Sequence, residues 1–119
     1  MKKFYASIGY AIKGVIFHLK YGANFKIQLF FACTALILCF SLHVALWEWV
    51  VVFVLIGSVL ALESFNSALE ILCNYITTEK HDQIKHVKDL CASGVLIVAF
   101  CSIIIGSIIF IPKIITLIN

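Results

Sequence analysis

Val50 to Ile76 reads VVVFVLIGSVLALESFNSALEILCNYI, and the rest of the chain can be laid out around it. Val50 to Leu62 is apolar almost without interruption, and the stretch runs on through Glu63, Asn66 and Glu70 with no proline. Such a run predicts a long helix crossing a bilayer core of about 30 Å, polar at one end. Glu63, Asn66 and Glu70 are spaced by three and then four residues. At about 100° per residue they fall within an arc of roughly 60° and project from one helix face. If the helix leaves the outer interface near Val50, Glu63 lies about 20 Å further along and Glu70 about 30 Å. Glu63 is then in the inner third of the membrane and Glu70 at the cytoplasmic interface.

A carboxylate as deep as Glu63 costs on the order of 2.5 to 3.5 kcal/mol on insertion scales, so it needs a partner or a function. Two readings fit the spacing. In one, Glu63 and Asn66 hydrogen-bond neighbouring helices as packing glue and Glu70 is a solvated helix-end charge. In the other, the face is a site.

Composition places the whole chain in a membrane. Of 119 residues, 63% are hydrophobic, and mean hydropathy is +1.10, far outside the range of soluble domains. All nine basic residues are Lys, and the net charge of +3 is too small to suggest nucleic-acid binding. The five cysteines form no CxxC pair and read as small buried hydrophobes. Lysines scattered through Met1 to Lys26 leave no compact apolar core of a cleavable leader, so the membrane segments themselves are expected to provide targeting.

Upstream, Phe4, Ile8, Ala11, Ile12, Val15, Ile16 and Leu19 recur at helical spacing with Lys3, Lys13 and Lys20 off the stripe. Residues 1–24 are therefore expected to form an interfacial amphipathic helix. Residues 27–46 give a first membrane span, with Gln28 and His43 its strongest polar interruptions, followed by the interface anchor Trp47, Glu48 and Trp49. Residues 50–76 give the second span. Thr77 to Val87 reads as a polar loop, and residues 88–111 give a third span closed by Pro112 and Lys113. The fold class is an all-α integral membrane protein with one domain. Lysines gather in the N-terminal segment and in the 80 to 88 region and are missing from the 41 to 49 turn, which puts the N-terminus and the 77–87 loop in the cytoplasm.

Lys85, His86, Lys88 and Asp89 open the third span on the same side as Glu70. Metal-assisted phosphoryl transfer needs carboxylates for Mg²⁺, a cation for phosphate charge and a base near the acceptor hydroxyl, and these residue types meet at one interface. Lys88 and Asp89 alone would equally suit an interfacial pair capping a helix. His81 and His86 are weak as a metal site. Neither GxxxxGK[ST] nor GxGxxG occurs, so an ATP site here is not of the soluble-kinase type. Gly57, Gly94 and Gly106 read as small residues for close helix packing.

E63-S-F-N66-S-A-L-E70, a polar loop and then K88-D89 resemble the small prokaryotic diacylglycerol kinase and undecaprenol kinase family. GYAIKG (Gly9 to Gly14), NFKIQ (Asn24 to Gln28) and IPK (Ile111 to Lys113) extend the resemblance over nearly the whole chain. It implies a homotrimeric inner-membrane enzyme moving the ATP γ-phosphate to a lipid alcohol at composite sites between subunits. Glu63 would be the general base, Asn66 an active-site polar contact and Glu70 a Mg²⁺ ligand. Lys88 would contact ATP phosphates and Asp89 would help place the nucleotide. Two positions depart from the family pattern. Gly22 stands where an acidic metal ligand is usual, and Asn74 where many members have Asp. NFKIQ and IPK look more like the undecaprenol-type branch than the diacylglycerol-type branch. The expectation is an undecaprenol kinase, the alternatives being a diacylglycerol kinase or a non-catalytic regulatory subunit.

Overall fold

The computed structural model describes residues Met1 to Asn119 as four helices: α1 Lys2–Tyr21, α2 Ala23–Ser41, α3 Leu46–Ile76 and α4 Asp82–Ile118. The last three are long and apolar enough to cross a membrane. At 1.5 Å per residue α3 and α4 extend about 46 and 55 Å, well beyond a hydrocarbon core of about 30 Å. α3 lies in the middle, packed mainly on α4 and less on α2, while α2 and α4 barely meet. Only ten residues are buried. A chain solvated by lipid satisfies its backbone within each helix and can leave apolar side chains outside.

The helix ends do not coincide with the ends of the expected segments. α2 starts right after Gly22, not at Ile27, because Lys26 continues the helix and sends its ammonium back to the Lys20 carbonyl at 3.3 Å. It stops at Ser41 rather than Leu46. Residues 82–87, expected in the polar loop, are the first turns of α4, which leaves only 77–81 between helices. Pro112, expected to close the third span, lies inside α4. Lys113 is held on Glu48 at 3.1 Å, and the helix continues past the proline to Ile118.

α2 stops for a reason of backbone geometry. His43 has φ 48°, the left-handed region in which a non-glycine residue is uncommon. The Val44 N–H reaches the Cys39 carbonyl at 3.2 Å, and the His43 N–H reaches Phe40 at 3.3 Å. This 6→1 and 5→2 pair is a Schellman motif with His in the glycine position. Its usual apolar contact is present as well, since Cys39 and Val44 belong to one buried cluster with Val52 and Ile109. Beyond the turn, Glu48 accepts the Ala45 N–H at 2.7 Å and caps α3. The cap and the Lys113 bond use the same carboxylate oxygen, and Glu48 is buried.

Other expectations change within the single chain. Cys39 and Cys73 are buried, but Cys33 and Cys101 are on the outside, where lipid can solvate a thiol as it does an apolar group. Gly57 and Gly94 face open space, and Gly106 meets only the Phe110 ring at 3.9 Å. Close helix packing at these glycines is not made inside one copy. The stripe of α1 is also free of the bundle: Phe4, Ile8, Ile12, Val15, Ile16 and Leu19 are exposed, and only His18 of α1 is buried. Such a face suits a headgroup layer.

The turn yields a test. His43→Gly is expected to hold or raise the melting temperature in detergent, whereas the β-branched His43→Val should destabilise by about 1–2 kcal/mol. Equal melting of the two variants would remove the left-handed cap as a stability determinant.

Candidate functional site

Glu63 is 4% exposed, the most deeply buried carboxylate in the molecule. It sits on α3 where α2 begins, and Gln28 donates from Nε2 to its Oε2 at 3.1 Å. Ser67, one turn along α3, donates to Oε1 at 3.4 Å. No cation is within ion-pair distance of it. The carboxylate is held by neutral donors, which stabilise it without fixing a countercharge beside it.

The α1–α2 joint touches the next residue, the exposed Ser64. Ser64 Oγ and His18 Nδ1 are 3.3 Å apart, and the His18 ring packs on Phe25 with centroids 4.4 Å apart. Gly22 is the single residue between the helices, and its φ of −88° would admit any side chain. Space is what requires glycine here. A Cβ would meet the His18 carbonyl oxygen at 2.8 Å, and His18 Cδ2 and Phe25 Cβ at 3.2 Å. The position where the family pattern has an acidic residue is thus closed by the packing of α1 onto α2. The side chain it brings against α3 is the His18 imidazole, on Ser64.

From Glu63 the polar face runs outward along α3. Asn66 is half-buried, while Glu70 and Asn74 are exposed. Asn74 is one turn past Glu70, about 6 Å along the axis and on the same face. Lys88 of α4 crosses to it, donating from Nζ to Asn74 Oδ1 at 2.6 Å. α4 therefore brings its ammonium to the outer end of the stripe that begins at Glu63. Asp89 is not part of this contact. It is exposed and bonded to Lys85 at 2.7 Å on its own helix. No three of the His, Cys, Asp and Glu side chains converge as a metal-binding group in one copy.

Gln28 and His18 were not singled out as site residues from sequence. Gln28 did carry a signal, as an amide inside an apolar span, but the identity of its partner depends on how α2 meets α3. His18 carried none, being one polar residue on the flank of an amphipathic helix.

An open cleft of about 430 Å³ runs beside this site between α2, α3 and α4. Its walls include Phe31, Val52, Ile56, Leu60 and Ile103, and Gln28 is among its few polar lining residues.

Residues 9–110 match the family described as prokaryotic diacylglycerol kinase. A curated relative, the undecaprenol kinase of Bacillus subtilis (strain 168), is 34% identical over 113 residues, covering 95% of this chain and 92% of the relative. The chain belongs to the prokaryotic diacylglycerol kinase family, and so to a family of membrane lipid kinases for which ATP is the implied phosphoryl donor.

Gly22→Ala is expected to loosen the α1–α2 joint by about 1–3 kcal/mol, an overpacking cost. Faster amide exchange in α1 and a lower melting temperature would register it. Unchanged exchange and melting would mean that the contact with the His18 carbonyl is absent in the protein.

Proposed function

Starting from membership of a lipid-kinase family, we propose that this chain is an undecaprenol kinase, moving the γ-phosphoryl group of ATP to the hydroxyl of a long single-chain lipid alcohol. The observation that carries the reading is the buried Glu63 carboxylate, free of any cation and followed along one helix face by Asn66, Glu70 and the Lys88 contact. The named relative supports the choice of lipid. The cleft, open and almost wholly apolar in its lining, suits a hydrocarbon chain of either lipid.

In this reading Glu63 takes the hydroxyl proton as the lipid oxygen bonds to the γ-phosphorus. The bond from that phosphorus to the bridging oxygen breaks, and ADP leaves with the electron pair. Lys88, turning from Asn74, neutralises phosphate charge. Asn66 orients the reacting groups, and Asp89, steadied by Lys85, helps place the nucleotide. Mg²⁺ commonly uses one or two protein carboxylates and completes its shell with phosphate and water, so the exposed Glu70 fits as a ligand although no cluster of three exists. When bound, the ion neutralises charge on the β- and γ-phosphates.

A homotrimer with composite sites accords with how little one copy buries and with glycines that meet nothing inside it. The lysines at the N-terminus and near the 77–81 loop favour the cytoplasmic side of the cell membrane for both. The single lysine at the opposite end, Lys113, is paired with Glu48.

Labelled ATP with undecaprenol and with diacylglycerol in mixed micelles, Mg²⁺ varied, tests the proposal. Expected are Mg²⁺-dependent transfer with higher kcat/KM for undecaprenol and a loss of at least about 100-fold in Glu63→Gln at unchanged expression and oligomer size. Absence of transfer to either lipid would sink the kinase reading, faster diacylglycerol turnover would overturn the choice of lipid, and an active Glu63→Gln would remove Glu63 from the base role.

A further inference from the structure

Gln28 leaves one atom unaccounted for. Its Nε2 serves Glu63, but its Oε1 is fully buried and has no hydrogen-bond partner, the only such side-chain atom in the molecule. A buried acceptor left unpaired is costly, and native structures retain few. Glutamine differs from other donors available to a carboxylate in having, at the end of one stem, two donors and an acceptor of nearly the same shape.

Resting on the reading of Glu63 as the base, we propose that Gln28 is a two-way positioning residue that answers both protonation states of Glu63. Before transfer Glu63 is a carboxylate, an acceptor only, and the Gln28 amide donates to it. After transfer the carboxyl holds the hydroxyl proton of the lipid and becomes a donor. Half a turn of the amide brings Oε1 into the place of Nε2, where it accepts the new O–H. Release of that proton to water restores the carboxylate and the first orientation. The atom orphaned in the resting site is the one the protonated site uses.

The surroundings suit such an exchange. A lysine at this point would be a donor in both states and would oppose protonation of Glu63. The site instead has no cation in ion-pair contact. The titratable group placed near it from α1 is His18, held on Ser64 and not on Glu63. From α2 there is Gln28 itself, and on α3 the next carboxylate is Glu70, two turns away and exposed. The α4 wall of the adjoining cleft contributes Ser102 and no titratable side chain. Ser67 can likewise donate or accept, so both oxygens of Glu63 face groups that tolerate its change of charge.

The test is a substitution series at Gln28, read as kcat and as KM for ATP, with melting and oligomer size recorded for each variant. Gln28→His keeps one donor and one acceptor and is expected to stay within about fivefold of the parent kcat. Gln28→Met, which fills the space without polarity, and Gln28→Lys, which can only donate, are each expected to lose about 10- to 100-fold in kcat with KM for ATP little changed. A merely structural hydrogen bond to the carboxylate predicts the reverse order, Lys above His. Full activity in Met or Lys, or equal loss in His and Met, overturns the proposal. Glu63→Gln assayed alongside separates the two levels. If it is active, the base reading fails, and if it is inactive while Gln28→Met turns over normally, only the role of Gln28 fails.

Discussion

A carboxylate inside a bundle only three helices wide, with lipid on most sides, must be satisfied by its immediate neighbours. Glu63 sets that requirement, and much of the molecule is arranged around it. Gln28 has to lie where α2 passes α3. α2 has to start close to that point, which it does directly after Gly22. The joint at Gly22 in turn packs α1 down so that His18 reaches Ser64. These contacts use neutral donors, so the site stays polar at little cost in fixed charge.

The helical architecture was legible because hydropathy and helical periodicity are local. The face of Glu63, Asn66 and Glu70 follows from spacing along one helix, and no contact had to be known to find it. Helix ends were less legible, since an apolar run marks immersion in lipid, whereas the helix itself continues through Lys26 at one end and through Asp82 to Val87 at another. The stop at His43 could not be read at all. Its signal is a left-handed backbone at a residue type that seldom adopts one.

What remained hidden in the site is tertiary. Glu63 was expected to need a partner, and Gln28 was a visible polar interruption, yet nothing local joins positions 35 residues apart. Glu48 read as an anchor charge between two tryptophans, and its cap on Ala45 and bond to Lys113 appear only once α4 has run past Pro112. Gly22 looked like a missing ligand. In the fold it is a close-packed joint, so its lack of a side chain has a steric cause independent of metal chemistry.

The two bonds from α4 lysines to α3 have a joint geometric consequence. Lys88 meets Asn74 near one end of the pair, and Lys113 meets Glu48 near the other. Between these rungs α3 spans 26 residues and α4 spans 25, about 39 and 38 Å of helix, so the two rails match to within one residue rise. The helices form a ladder with no slack. Sliding either rail by a single turn would break both rungs together, and a residue inserted between them would rotate one lysine by about 100° away from its partner. The length of the apolar segments is therefore gauged twice, once by the bilayer and once by the chain against itself.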